Sequence, residues 1–176
     1  MKSTKIIASI LASALITPSV LPPSANTESH WYFKKNDSHT QPPIPSEFAY
    51  IEDYGGYYID RDHGDANTEK VIYLTFDAGY ENGNVEKVLD ILKKHNATGT
   101  FFILENLLKR NSDLVKRMFD EGHTVANHTM KHKNMAKITD RAVFEEELCG
   151  LEKLCLDYTG NKMARLYRPP EGSFSP

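Results

Sequence analysis

The feature that most restricts what this chain can fold into is an ordered alternation of short apolar runs and helical faces that starts at Val71. Val71-Ile72-Tyr73-Leu74-Thr75-Phe76 is a near-continuous apolar and β-branched run, the composition of a strand buried in a parallel sheet. After the polar turn Gly79-Tyr80-Glu81-Asn82-Gly83-Asn84, the residues Val85, Val88, Leu89 and Leu92 recur at i, i+3, i+4 and i+7, one face of a helix. Residues 98–104 read as a second strand, and Ser112 is placed to cap a helix carrying Val115, Met118 and Phe119 that Gly122 stops. His123-Thr124-Val125-Ala126 reads as a third strand. Thr139 is placed to cap a longer helix whose Phe144, Leu148, Leu151, Cys155 and Tyr158 are spaced by fours and threes, ending at Gly160; Leu166-Tyr167-Arg168 is then a fourth strand. The order β-α-β-α-β-α-β predicts parallel strands with helices covering them, as a barrel or as a doubly wound sheet. The sequence stops at Pro176 just after the fourth strand, so an incomplete α/β domain is expected.

Ahead of this domain the character differs. Lys2 and Lys5 precede an apolar run over residues 6–16, about half the ~20 residues that cross a bilayer. We expect a signal peptide over residues 1–25 and a secreted or cell-envelope protein; a retained anchor is the other reading. Residues 26–69 form a polar, punctuated N-terminal arm with Pro42-Pro43-Ile44-Pro45, followed by the aromatic stretch Tyr54-Gly55-Gly56-Tyr57-Tyr58-Ile59, which is expected to make a short strand. Trp31 is expected to pin the arm by packing, with sugar stacking as the alternative. Cys149 and Cys155 are six apart in one helix, which sets their Cα atoms ~9 Å apart, beyond the ~7 Å a disulfide spans, so two free thiols are expected.

Parallel α/β folds place ligands at the carboxyl ends of the strands. Here those ends are Asp77-Ala78-Gly79, then Asn127-His128-Thr129-Met130-Lys131-His132, then Arg168-Pro169-Pro170-Glu171-Gly172, three loops expected to converge on one cleft. Asp77 is suited either to cap the next turn or to act as a general base. His128 and His132, four apart, can share one side of a helical turn within reach of one metal ion, or be ordinary surface histidines. Arg168, if it faces Asp77, holds that carboxylate ionised and oriented. His63 and His123 are assigned to packing or solvent. The net charge of −3 supplies no field for phosphate backbones, so no nucleic acid is expected as a partner.

Leu74-Thr75-Phe76-Asp77-Ala78-Gly79, His128-Thr129-Met130-Lys131-His132 and Arg168-Pro169-Pro170-Glu171-Gly172 together resemble the first three motifs of the polysaccharide deacetylases with a NodB homology domain, carbohydrate esterase family 4. The longer string from Thr75 to Gly83 is similar to one branch, the delta-lactam-biosynthetic de-N-acetylases of spore cortex peptidoglycan. The resemblance implies a distorted (β/α) barrel, here incomplete at its C-terminus, with a partial NodB homology domain over residues 70–176. It also implies hydrolysis of N-acetyl groups on peptidoglycan amino sugars, with peptidoglycan glycan strands as the partner of a monomeric chain. Asp77 is then the base that activates water, Arg168 orients it, and His128 and His132 hold a divalent ion, Zn²⁺ being the expected one. Pro170, Glu171 and Gly172 line the substrate site, where backbone N–H groups around Glu171 add to oxyanion stabilisation.

Two departures from the family pattern matter. Most members carry a second aspartate, the third metal ligand, where this sequence has Ala78, so any ion is expected to bind weakly. The remaining family motifs, including the general-acid histidine, should follow Pro176; residues 26–176 alone are therefore expected to be poorly stable and inactive. A non-catalytic wall-binding remnant and a deacetylase of chitin or xylan are the alternative readings.

Overall fold

The computed structural model describes residues 28–38, 40–64 and 71–175; the expected signal peptide lies outside them. Three parallel strands, β2 (Thr75–Ala78), β3 (Thr100–Ile103) and β4 (Thr124–Asn127), form a sheet in the order β2-β3-β4. The expected first strand is displaced toward its C-terminal end. β3 begins only at Thr100, whose N–H bonds to the Leu74 carbonyl, and Val71, Ile72 and Tyr73, ahead of β2, stand exposed. The expected fourth strand is reduced to a parallel bridge from Tyr167 to Asn127, flanked by bonds from Ala164 N–H to Val125 and from Arg168 N–H to Asn127. Pro169 and Pro170 have no N–H to extend it.

Helices α1 (Asn84–Lys94), α3 (Ser112–Asp120) and α4 (Arg141–Thr159) stand where the apolar periodicity puts them. A six-residue helix, α2 (Glu105–Arg110), is too short to show a helical period in sequence, yet it buries Leu107 and Leu108 completely. Two caps differ from expectation. Asp140, not Thr139, accepts from Ala142 N–H at 2.8 Å and Val143 N–H at 3.3 Å, since a carboxylate also offsets the helix dipole. Ser112 is the first helical residue, not a cap. Leu89, Ile103, Leu107, Val115, Met118 and Leu151 share one fully buried cluster between sheet and helices, each such side chain contributing about 1.5–3 kcal/mol.

The arm folds back on the far end of the sequence. β1 (Ser29–His30) pairs antiparallel with β5 (Ser173–Phe174), and Trp31 N–H bonds to the Gly172 carbonyl at 2.7 Å. Gly172 has φ +64, and a Cβ there would lie 3.2 Å from Trp31 Cβ, so only glycine suits this crossing. Trp31 packs with its ring centroid 4.7 Å from Tyr58 and 6.0 Å from Phe48. The expected strand at Tyr54 to Ile59 is absent; a 3-10 helix spans Ser46–Tyr54 instead and ends at Gly55, φ +73, because the Gly-Gly pair breaks any extended run. Cys149 and Cys155 are free, the latter buried. Among the described residues no helix is long and apolar enough to cross a membrane.

His123, at the amino end of β4, is buried, with Nδ1 accepting from Gly99 N–H at 3.3 Å and Nε2 3.9 Å from Glu121. Burial, aided by the nearby Arg117 and opposed by Glu121, pushes this imidazole below the usual histidine range. As pH falls below the ordinary value of about 6.5, the unfolded chain takes a proton that the folded one refuses, so stability is lost on acidification and is intact above that pH. As the pH is lowered below about 6.5, wild-type protein should lose stability through this group, by no more than the about 1.4 kcal/mol per pH unit that one proton sets. The His123→Gln variant should show a flatter profile by thermal melts, and an unchanged slope would remove His123 from the acid response.

Candidate active site

Alternation along the parallel strands puts Ala78 and Ile103 on the helix-covered face and Asp77 and Phe102, which are register partners, on the opposite face. At the carboxyl end of that second face the three motif loops meet. Asp77 Oδ1 accepts from Arg168 Nη1 at 2.7 Å, and the Arg168 guanidinium lies 4.1 Å above the Phe102 ring, which fixes its plane. Phe102 is a part of the site that sequence reading missed; its signal was its register opposite Asp77 on the neighbouring strand.

His128 follows directly on β4. Its Nδ1–H donates to the Arg168 carbonyl at 2.9 Å, and its Nε2 lies 4.0 Å from Asp77 Oδ2. Since a carbonyl only accepts, the tautomer is set and the Nε2 lone pair faces the cleft. Burial holds this imidazole below the usual histidine range, outweighing the Arg168 carbonyl and Asp77, which act the other way. The ring is therefore neutral at neutral pH.

His132 is brought to His128, with ring centroids 5.0 Å apart and planes at 74°, but not by a helical turn. Residues 128–134 are irregular, and Thr129 (φ +76) and His132 (φ +57) both adopt the left-handed region, a strained geometry for residues with a Cβ. Asn127 Oδ1 accepts from Thr129 N–H at 2.8 Å, and Thr129 Oγ1 accepts from His132 N–H at 3.0 Å. These two residues do the shaping that a helix was expected to do.

The third loop carries Pro170, which is buried, and Glu171, which is exposed with φ +60 and accepts from Asn134 Nδ2 at 3.0 Å. The Gly172 N–H is engaged by the Pro169 carbonyl at 3.3 Å, and its own carbonyl by the arm. Ala78 is 5% exposed, its methyl inside the core cluster. Glu81, on the loop after β2, serves the N-terminus of α1 by accepting from Gly83 and Glu86 N–H groups.

The donor chemistry of the cleft suits a divalent cation. Two adjacent imidazoles are set at an angle, one of them locked as the Nε2 lone-pair tautomer by an N–H bond to a carbonyl, the arrangement usual for histidine ligands. Among the described residues no group of three or more His, Cys, Asp or Glu side chains gathers as a metal cage.

The chain is similar to known proteins over most of its length. The polysaccharide deacetylase family matches residues 64–176. Peptidoglycan-N-acetylmuramic acid deacetylase PdaA of Bacillus subtilis is 40% identical over 152 residues, 85% of this chain and 55% of that protein. Its solved structure, a family 4 carbohydrate esterase, superposes with a TM-score of 0.77, covering 85% of this chain and 62% of that one. A family 4 carbohydrate esterase from Bacillus anthracis superposes at 0.69 with 34% identity, over 85% of this chain and 65% of its own. The chain thus spans about half the length of the curated relatives it matches, and over that span it has the α/β fold of these esterases. With a match that runs across well over half of its sequence, the chain belongs to the polysaccharide deacetylase family.

Proposed function

We propose that this chain carries the catalytic half-site of a hydrolase that removes N-acetyl groups from peptidoglycan amino sugars, N-acetylmuramic acid of spore cortex first, on the way to muramic delta-lactam. The observation that carries this reading is one constellation: Arg168 on Asp77 at 2.7 Å, with His128 Nε2 4.0 Å from the other oxygen of the same carboxylate. The similarity to PdaA supports the choice of sugar. Asp77 takes the proton of the attacking water on Oδ2, while Arg168 occupies Oδ1 and so aims the free oxygen into the cleft. Proton transfer by a placed carboxylate contributes about 10²–10⁴-fold. His128 and His132 hold a divalent ion, Zn²⁺ in this proposal, which when bound supplies Lewis acidity toward water and the amide carbonyl. Ala78 contributes no carboxylate, so the ion is held weakly. The turn at Pro170, Glu171 and Gly172 forms the sugar-facing rim.

In this reading residues 1–25 are an export signal, residues 26–69 an arm, and the deacetylase domain starts at about residue 70, in a monomer acting at the cell envelope. The test is acetate release from glycan containing N-acetylmuramic acid, with chitooligosaccharide and acetylated xylan in parallel. It uses both the 176-residue chain and the chain continued by the matching C-terminal portion of B. subtilis PdaA. Acetate from the peptidoglycan substrate by the continued chain is expected. Glycan binding without acetate from either protein overturns the catalytic assignment, and release from chitin or xylan alone overturns the substrate.

A further inference from the structure

The loop that carries both histidines is strained, and something outside it must keep it so. Two glutamates grip it from behind. Glu147, on α4, is 3% exposed; its Oε2 accepts from Lys131 N–H at 2.9 Å and its Oε1 pairs with Lys133 Nζ at 2.7 Å. The Glu147 backbone carbonyl also accepts from Met130 N–H at 3.0 Å. Glu105, at the start of α2, is 8% exposed and pairs with Lys131 Nζ and with Lys109 Nζ. Residues 130, 131 and 133 are thus each held from α4, while neither glutamate touches Asp77, Arg168 or a histidine ring through any contact just named. A buried carboxylate is costly unless hydrogen-bonded and paired, and it enforces the partner geometry when it is. Lys131 N–H lies in sequence between Thr129 and His132, the two left-handed residues, so fixing it restrains the backbone that joins the two histidines.

The geometry points to Glu147 as a positioning residue that holds the His128–His132 loop in its ion-binding shape, an inference that rests on the proposed role of those histidines. Glu147 acts by accepting the Lys131 N–H, with Lys133 neutralising its charge; Glu105 steadies the same lysine from the other side.

The test compares Glu147→Leu and Glu147→Gln in the full chain by calorimetric titration with Zn²⁺ alone and by amide hydrogen exchange of the metal-free protein. Leucine removes the acceptor, and Zn²⁺ affinity should fall at least about tenfold, the lower end of what losing an outer-shell partner costs. Exchange at Lys131 and His132 should rise while Val125, in β4, stays protected. Glutamine keeps an oxygen for Lys131 N–H and should restore both readouts to near wild type. If Glu147→Leu lowers only the melting temperature and leaves Zn²⁺ affinity and loop exchange unchanged, or if glutamine is as damaging as leucine, the proposal is overturned. Should leucine prevent folding, Glu147→Asp keeps the charge but withdraws it by one methylene; reduced Zn²⁺ affinity is expected, and wild-type affinity overturns the proposal. If wild type and the His128→Ala, His132→Ala variant bind Zn²⁺ alike, the histidine reading has failed, and the exchange data still decide the positioning claim.

Discussion

Asp77→Asn should leave the fold intact and reduce acetate release by about 10²–10⁴-fold, the span that a placed general base supplies. Asparagine is nearly isosteric, keeps an oxygen for Arg168 Nη1 and cannot accept the proton of water. Asp77 is half exposed at the rim of the sheet, and its ion pair with Arg168 is partly in solvent, so the stability lost with it should be no more than about 1 kcal/mol. The helix-covered core lies on the other face of β2 and is untouched by the change. The measurement is acetate release by the chain continued with the C-terminal portion of PdaA, alongside thermal melts of wild type and the variant. Wild-type turnover in Asp77→Asn would mean that Asp77 serves only as a turn cap and that the base lies elsewhere.

Replacing both histidines should have the second large effect. The His128→Ala, His132→Ala variant is expected to lose Zn²⁺ affinity by more than about a hundredfold, beyond the range for a mere outer partner. The two rings meet in the cleft, and Ala78 gives no carboxylate to retain the ion without them. Titration with ZnCl₂ followed by heat or by absorbance of a competing chelator reads this directly. A variant that binds as tightly as wild type would take the histidines out of the ion site, whatever their effect on turnover.

How much of this was legible before the structure depends on what each feature is made of. The helix faces were legible because burial repeats every three to four residues: Leu89 and Leu92 on α1 and Leu151 and Cys155 on α4 are buried as their spacing requires. The convergence of Asp77, His128 and Arg168 followed from strand ends in a parallel sheet. What failed to show was anything held by contacts between distant residues. The pairing of His128 with His132 comes from left-handed residues and backbone bonds, which a four-residue spacing does not reveal. Glu147 was hidden because α4 was read through its apolar residues alone, Phe144, Leu148, Leu151, Cys155 and Tyr158, whereas the fully buried line is Glu147, Leu151 and Cys155, each four apart. A carboxylate in register with two core residues was the available signal. The partnership of β1 with β5 has no sequence pattern at all, since two-residue strands carry no period.

That partnership bears on the order in which the molecule is assembled. His30 and Ser173, which bond side chain to side chain, lie 143 residues apart in the chain. At a synthesis rate of about 5–20 residues per second, on the order of ten seconds pass between the appearance of the arm and the appearance of its partner. Closing so long a loop costs little more than closing a shorter one, because the entropy grows only with the logarithm of length. Timing, then, and not free energy, is what delays it. Through that interval Trp31 and Phe48 lack Phe174, and the arm lacks the turn that it will clasp. The clasp between the arm and the rim of the cleft can therefore close only after β2, β3 and β4 have all been synthesised.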